Sequence, residues 1–241
     1  MIYSHKRKIN FLDLDANKNI RLTALIKYIN EASWESAESL GAGMETTLQF
    51  DMVFILQRLA VKKIAPINQD DILNIRTWPG EMTRSAFKRQ GDMLNEKGEK
   101  VLEWESMWVL VDVASRKIKR PTESPVAFEL QGRNGVEIEA DKVKLPTGIA
   151  MVDCYHHCVR FSELDMYGHM NSAIYGDLVA NGLQMVIDEE MGNFDEVQFN
   201  YMNEAVLNDN IHVQYYRDET GMHVKGVKGE TTVFVTQLKG M

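Results

Sequence analysis

The feature that most constrains the fold of this chain is an internal repeat with an offset of 150 residues. Residues 11–22 read FLDLDANKNIRL and residues 161–172 read FSELDMYGHMNS. The aligned pairs include Asp15 with Asp165, Asn19 with His169, and Arg21 with Asn171. In both copies an apolar stretch with helical spacing follows. Because the offset is longer than the period of short structural repeats, the sequence predicts two domains of one fold.

The order of predicted elements repeats as well, with one strand, one helix and then about four strands in each half. Short turns between consecutive strands predict antiparallel pairing. The predicted helices are residues 22–40, closed by Gly41, and residues 174–187. The predicted strands are residues 8–13, 54–64, 71–78 (ended by Pro79-Gly80), 85–94 and 101–113 in the first half, and 154–161, 194–202, 211–217, 223–227 and 231–238 in the second.

The two halves are predicted to be joined by a linker at residues 126–150. This stretch contains Pro146 and three glycines and has little hydrophobic periodicity, which is typical of a connection between domains. The first domain is then residues 1–125 and the second residues 151–241. The predicted fold class is α+β, with an antiparallel sheet and one long helix in each domain.

Composition excludes several classes of protein. The net charge of −8 argues against general nucleic-acid binding. No run of about 18 apolar residues is present, and the charged N-terminus is not followed by the apolar stretch of a secretory signal. Two cysteines are too few for a disulfide framework, so a reducing, cytoplasmic location is expected.

Charge is distributed unevenly between the halves. Residues 1–120 contain 19 Lys and Arg against 16 Asp and Glu, whereas residues 121–241 contain 8 against 19. Two basic groups stand out in the first half: Arg84, Lys88 and Arg89, and Arg116, Lys117, Lys119 and Arg120. They indicate either a docking surface for an acidic partner or ordinary solvated strand faces.

The second copy of the repeat holds the best candidate for chemistry. Asp165 is followed four residues later by His169, with Gly168 between them and Asn171 just beyond. This group lies at a predicted helix start, where unpaired backbone N–H groups attract anions and polarised carbonyls. The alternative is that Asp165 and Asn171 cap the helix and His169 only packs.

Other motifs are weaker. Cys154-Tyr-His-His-Cys158 suggests zinc, but its potential ligands are spread along a predicted strand and no second ligand pair has the usual spacing. GMHVKGV at Gly221 has Val227 where a phosphate loop requires Lys. No G-x-S-x-G serine-hydrolase motif occurs.

Taken together, the motifs resemble the acyl-acyl-carrier-protein thioesterases, which have a double hotdog fold. Plant members carry DxNxHxNN followed downstream by YRREC. The counterparts here are Asp165-Met-Tyr167-Gly-His169-Met-Asn171 and Tyr201-Met-Asn-Glu204-Ala205. The segments IKYINEASWESAESLG, RTWPG and VLEWESMWVLVD are similar too, so the resemblance spans nearly the whole chain.

The resemblance implies an α+β tandem double hotdog that hydrolyses acyl thioesters without a cofactor or metal. It implies Glu204 as base or nucleophile, and Asp165 and His169 as orienting groups and proton carriers. Asn171 or Tyr167 is implied as the group that positions the water or the carboxylate. Backbone amides near residues 169–172 are expected to stabilise the oxyanion. The chain departs from the plant motifs at Tyr167, which stands in place of Asn, and at Ala205, which stands in place of Cys. A cysteine nucleophile is therefore excluded.

The implied partner is an acyl carrier protein that carries a fatty acyl thioester, with no nucleic acid and no membrane. Because the carrier is acidic, its expected docking residues are Arg84, Lys88, Arg89, Lys117, Lys119 and Arg120. The first domain, which lacks the histidine, is expected to hold the acyl chain along its helix. The chain is expected to be a monomer or a homodimer.

Three alternatives follow from the same residues: an acyl-CoA thioesterase on this fold, a non-catalytic acyl-binding module, and a hotdog hydratase. The hydratase is disfavoured because its D-x-N-P-x-H motif is one residue wider and contains a proline that this chain lacks.

Overall fold

A computed structural model describes residues 1–145, 148–186 and 194–240. Its contacts divide the chain into two compact units. Unit 1 comprises Met1–Ile9 and Tyr28–Ala140, and unit 2 comprises Asn10–Lys27 and Asp141–Met241. The first copy of the repeated motif therefore belongs to unit 2, whereas the sequence boundaries assign it to the first domain. Each unit is described by itself.

Unit 1 is built on an antiparallel sheet with the strand order β1-β3-β4-β5-β2, and β6 pairs with β5. Helix α1, Leu22–Ser39, enters unit 1 at Tyr28, and the short helix α2, Met44–Gln49, follows it. The strands are β1 Tyr3–Lys8, β2 Met52–Lys63, β3 Ile72–Met82, β4 Phe87–Leu94, β5 Lys100–Asp112 and β6 Ile118–Lys119.

Helix α1 packs on unit 1 because its apolar and small residues recur at helical spacing. Tyr28, Ile29, Ala32, Ser33 and Ser36 are all buried. In a bond that ties the helix to β4, Ser36 Oγ accepts from Arg89 Nη1 at 2.9 Å.

The opposite face of β5 is covered by residues 131–140, which lie within the predicted linker. Buried Glu103 accepts hydrogen bonds from the backbone N–H groups of Glu137 and Ile138 at 3.0 and 3.1 Å. Buried Glu105 accepts from the N–H of Ala140 at 3.0 Å and lies 2.9 Å from Arg133. Two buried carboxylates therefore fix this segment on unit 1.

Unit 2 has the strand order β7-β9-β10-β11-β8, again antiparallel throughout. Helix α3, Ile174–Val186, packs on β7, β9 and β10. Its strands are β7 Val152–Cys158, β8 Glu196–Tyr201, β9 Asn210–Asp218, β10 Gly221–Lys228 and β11 Thr231–Lys239. Taken in chain order, the five main strands of each unit occupy the same sheet positions, as expected from the duplication. The predicted α+β architecture is confirmed.

Some predicted boundaries are wrong. Residues 8–13 do not form a strand, because β1 ends at Lys8 and Phe11–Asp13 forms a 3-10 turn. Pro79 and Gly80 do not end β3, which continues to Met82 through a register shift. Ile187, at the predicted end of the second helix, lies outside the described residues. No helix in the part of the chain that the structure describes is long and apolar enough to cross a membrane.

Candidate active site

The candidate site is built on residues 163–171, which we call loop 2. Asp165 Oδ1 accepts hydrogen bonds from the backbone N–H groups of Tyr167 and His169 at 2.9 and 3.1 Å. The N–H of Asp165 donates to the carbonyl of His169 at 2.7 Å. Gly168 has φ of +81°, a conformation that glycine adopts without steric cost. Asp165 therefore folds the backbone of loop 2 and contacts His169 through its main chain.

Loop 2 ends at the start of α3. The N–H of Asn171 donates to the carbonyl of Glu163 at 2.8 Å, and Asn171 Oδ1 accepts from the N–H of Ala173 at 2.9 Å. This side-chain bond is the capping interaction expected from the alternative in which Asn171 caps the helix. It also fixes the amide plane, so that Nδ2, the donor end of this exposed side chain, is oriented by the cap.

The structure brings His169 and Glu204 together. His169 Nε2 lies 3.1 Å from Glu204 Oε2, and the two side chains are 36% and 46% exposed. Water can therefore reach an imidazole that is in direct contact with a carboxylate. This pair can hold and transfer a proton, which is the chemistry needed to activate a water molecule.

The backbone beside Glu204 is tied to loop 2 and to the sheet. The carbonyl of Ala205 accepts from the N–H of Met170 at 2.8 Å. Asp209 Oδ2 accepts from the N–H of Val206 at 2.8 Å and from Lys228 Nζ at 2.7 Å. Burial raises the pKa of Asp209, but the bonds from Lys228 and Val206 outweigh it and hold the pKa below its usual value. The turn that presents Glu204 is thus held by a charged carboxylate.

The predicted oxyanion amides are largely occupied. The N–H groups of His169, Met170 and Asn171 donate to Asp165 Oδ1, the Ala205 carbonyl and the Glu163 carbonyl respectively. These three donors of loop 2 are committed to acceptors within the chain. The expectation that they form an oxyanion hole is therefore not supported by the geometry.

Exposed apolar side chains flank the His169–Glu204 pair in sequence. Phe161 is 81% exposed and Met166 66% exposed on the loop 2 side. Tyr167, which replaces the plant Asn, is 45% exposed. Met202 is 52% exposed just before Glu204. Apolar surface of this kind on both segments that carry the pair is suited to an apolar ligand.

The predicted basic docking group is only partly available. Arg89 is 8% exposed, and burial lowers its pKa to about 10. Lys88 Nζ contacts the buried carboxylate of Glu105 at 3.0 Å and its side chain is 16% exposed. Lys119 lies 3.9 Å from both Asp112 and Glu123. Arg89 and Lys88 are thus wrong as docking residues, because one is buried against α1 and the other neutralises Glu105. Arg84, Lys117 and Arg120 are exposed.

The Cys-His segment has no metal arrangement. Cys154 and Cys158 are free thiols. No group of three or more His, Cys, Asp or Glu side chains in residues 1–145, 148–186 and 194–240 could hold a metal ion. His157 instead contacts Glu163 at 2.9 Å, and the ring of His156 stacks on that of His212 at 4.3 Å.

Sequence reasoning identified Glu204 only through the family motif, and it missed Asp209 and Lys228. The two segments that meet, residues 163–171 and 204–209, are more than 30 residues apart in the chain, so spacing could not join them. Asp209 follows Asn208, which has φ of +66°. An Asn-Asp pair between predicted strands signals a tight turn but does not show what the aspartate binds.

Comparisons with known proteins agree with the fold and the resemblance. A model of the acyl-ACP thioesterase N-terminal domain matches residues 1–127, and a model of the C-terminal domain matches residues 151–237. An acyl-ACP thioesterase from Bacteroides thetaiotaomicron is 19% identical with a TM-score of 0.86, covering 98% of this chain and 96% of that one. The 12:0-ACP thioesterase from Umbellularia californica is 17% identical with a TM-score of 0.77, covering 99% and 96%. No curated protein matches the chain.

Proposed function

The chain belongs to the acyl-ACP thioesterase family and is a thioester hydrolase, and we propose that it releases free fatty acid from acyl carrier protein. The observation that carries the mechanism is the 3.1 Å contact between His169 Nε2 and Glu204 Oε2 in a pair that water can reach. The geometry around that pair supports the finer roles that we propose.

In the proposed reaction, Glu204 and His169 activate a water molecule. The pair takes a proton from the water, the hydroxide adds to the thioester carbonyl carbon, and a tetrahedral oxyanion forms. The carbon–sulfur bond then breaks, and the proton passes through His169 to the leaving thiolate. A positioned base of this kind contributes about 10²–10⁴ in rate.

Asn171 is the proposed donor to the carbonyl oxygen. Its Oδ1 is held by the N–H of Ala173 at 2.9 Å, so Nδ2 is preorganised to donate. A single side-chain oxyanion donor is worth about 10²–10³ in kcat. Asp165 is a positioning residue in this scheme, since it holds the backbone of His169 rather than its ring.

Whether Glu204 acts as base or as nucleophile can be tested by a single turnover in water labelled with ¹⁸O. After single turnover in H₂¹⁸O, a base leaves no label on the protein. A nucleophile forms an anhydride with the acyl group, and attack of water on the carboxylate carbon would leave ¹⁸O on Glu204. Attack of water on the acyl carbon instead would leave Glu204 unlabelled, so mass spectrometry of the peptide that contains Glu204 is also made after rapid quenching, where only a nucleophile gives the acylated peptide.

The test of the function compares kcat/KM on acyl carrier protein and on acyl-CoA, with acyl chains from short to long. Glu204→Gln should lower kcat/KM about 10²–10⁴-fold on the preferred carrier. Glu230→Gln, an exposed acid between β10 and β11, is the matched control. Wild-type turnover by Glu204→Gln would exclude Glu204, and acyl binding without turnover would show a non-catalytic module.

Arg84, Lys117 and Arg120 are the proposed contacts of the acidic carrier, because they are the exposed members of the six predicted docking residues. Reversing all three charges should raise KM for the carrier substrate and reduce its dependence on salt, with acyl-CoA as the comparison. A KM that responds neither to salt nor to charge reversal would exclude this surface.

Unit 1 is proposed to hold the acyl chain beside α1. Ala32 is fully buried on this helix, so Ala32→Leu would fill space where a chain is expected to lie. The predicted result is a shift of the kcat/KM optimum to shorter chains. An unchanged chain-length profile in a folded variant would place the acyl chain elsewhere.

A further inference from the structure

Unit 2 contains a cavity of about 430 Å³ beside the first copy of the motif, residues 13–21, which we call loop 1. The cavity lies between loop 1, with the start of α1, and the side of α3. Neither His169 nor Glu204 lines it. Its volume lies within the range of small-molecule sites, about 300–1,000 Å³.

The walls of the cavity are locked together at the helix starts. A Cβ on Gly176, in the first turn of α3, would lie 2.7 Å from the backbone N of Thr23 in α1. The two backbones therefore touch where only glycine fits. The N–H of Arg21 also donates to the carbonyl of Asp13 at 2.8 Å, which fixes the end of loop 1. These contacts fix the positions of the cavity walls in unit 2.

Two charged side chains offer unused hydrogen-bonding groups at the cavity. Arg21 Nε donates to the carbonyl of Leu14 at 3.0 Å, which sets the direction of the guanidinium. Its two η nitrogens have no acceptor among residues 1–145, 148–186 and 194–240. The carboxylate of Asp177, in the first turn of α3, has no hydrogen-bond donor or ion-pair partner in the same described ranges. The cavity therefore presents a donor and an acceptor together.

The balance of charge favours a neutral ligand. Asp15, Glu163 and Asp177 line the cavity against the single arginine, Arg21, while His157 is engaged by Glu163 at 2.9 Å. An anion would face three carboxylates. Amide groups suit this lining, because a carbonyl can accept from Arg21 and an N–H can donate to Asp177. Buried Ile20, Leu22 and Leu178 supply apolar contacts.

We propose that this cavity binds the pantetheine arm of a second thioester without hydrolysing it. Pantetheine is a neutral chain with two amides and apolar carbons, which matches the lining. The inference rests on the proposed function, in which the equivalent loop 2 receives an acyl-pantetheine thioester. Loop 1 has the same backbone as loop 2 but carries Asn19 in place of His169. The His157–Glu163 pair in the lining is only 21% and 18% exposed, and Glu163 Oε2 also accepts from the N–H of Arg160 at 2.8 Å, so this pair is less open to water than His169 and Glu204 are.

The test counts binding sites on the full chain. The probe is octanoyl-pantetheine with nitrogen in place of the thioester sulfur, titrated by calorimetry and checked by native mass spectrometry. Two molecules should bind per wild-type chain and one per chain of Arg21→Ala/Asp177→Ala. Ala180→Trp, which fills the cavity from α3 and keeps both charges, should also bind one. Glu230→Ala, in the turn between β10 and β11 and outside the cavity lining, should bind two.

The same number of bound probe molecules on the wild-type chain and on both folded cavity variants would overturn the proposal. If the double variant fails to fold, Ala180→Trp alone decides. Repeating the titration with the same amide carried on acyl carrier protein or on CoA identifies the source of the arm. Hydrolysis of acyl thioesters by the wild-type chain is measured separately, so failure of the cavity and failure of the proposed function are distinguishable.

Discussion

Loops 1 and 2 have nearly the same backbone but carry different side chains, among them Asn19 where loop 2 has His169. Asp15 Oδ1 accepts from the N–H groups of Asn17 and Asn19, both at 2.9 Å, as Asp165 does in loop 2. The cross-loop backbone bond between residues 15 and 19 measures 2.8 Å, against 2.7 Å in loop 2. A positive φ occurs at Lys18, +65°, where loop 2 has Gly168 at +81°. The fold of the loop therefore does not need the imidazole.

The difference lies beyond the backbone. His169 Nε2 contacts Glu204, whereas the equivalent Asn19 Nδ2 is buried with no hydrogen-bond partner within the described ranges. The aspartate is common to both loops and does the same backbone work in each. The comparison therefore favours a structural role for Asp165 and supports the proposal that His169 and Glu204 carry the chemistry.

The largest expected effect comes from making loop 2 like loop 1 at the imidazole. His169→Asn should lower kcat/KM on acyl carrier protein about 10²–10⁴-fold, because the proton carrier is lost. The loop bonds use the backbone N–H and carbonyl of residue 169, which the variant retains. Thermal unfolding should therefore stay within about 3 °C of wild type. Substantial activity in a folded variant would show that the comparison has misplaced the chemistry.

A smaller loss is expected when the shared aspartate is removed. Asp165→Ala leaves two backbone N–H groups without their acceptor, at about 1 kcal/mol or more of stability. It should also reduce kcat/KM about 10- to 100-fold by displacing His169. Asp15→Ala should cost similar stability with little effect on kcat/KM.

Asp165→Asn keeps a side-chain oxygen that accepts hydrogen bonds but removes the negative charge of the carboxylate. The amide oxygen can still accept both N–H groups, so kcat/KM should remain within about threefold of wild type. If Asp165→Asn is as damaged as Asp165→Ala, the negative charge takes part in catalysis. Asp165 would then be a proton carrier, as the family resemblance implies.

Much of the architecture could be predicted from the sequence because strands and helices follow from the spacing of apolar residues over short stretches. Alternation of apolar residues located most strands, and helical spacing from Leu22 located α1. The predicted strand at residues 8–13 failed because Asn10 and Asp13 form a capping box, with the N–H of Asn10 bonded to Asp13 Oδ2 at 2.8 Å. Local side-chain bonds of this kind override a short apolar pattern.

The site could be predicted less completely, because its parts meet through tertiary contacts. The repeat showed that the histidine at position 169 has no counterpart in the first copy. The sequence could not show that Asp165 bonds to the backbone of His169 rather than to its imidazole ring. Two members of the predicted basic docking group were wrong for a similar reason. Lys88 and Arg89 alternate across β4, so one pairs with buried Glu105 and the other turns toward α1. Charge counts do not contain that information.

Substitutions at the residue with positive φ in each loop, Gly168 and Lys18, test whether the two loops share one backbone geometry. A Cβ on Gly168 would meet no atom within 4 Å, so Gly168→Ala reports only the cost of positive φ. That cost is about 1–2 kcal/mol, or about 2–8 °C in the unfolding midpoint. Lys18→Gly relieves the same strain in loop 1 and should change stability by less than about 1 kcal/mol, since glycine loses more entropy on folding. Equal destabilisation by both variants would contradict the shared geometry.

The smallest effect is expected from installing the missing imidazole in loop 1. Asn19→His restores the side chain that distinguishes loop 2, but the contacts of Asn19 include no carboxylate side chain equivalent to Glu204 among residues 1–145, 148–186 and 194–240. Without an acid partner, the new ring has nothing to hold its proton, so kcat/KM should change by less than about twofold. The measurement is best made in the His169→Asn background, where a gain is easiest to detect. Recovery of activity there would mean that the imidazole alone suffices, and the 3.1 Å contact with Glu204 would lose its place in the mechanism.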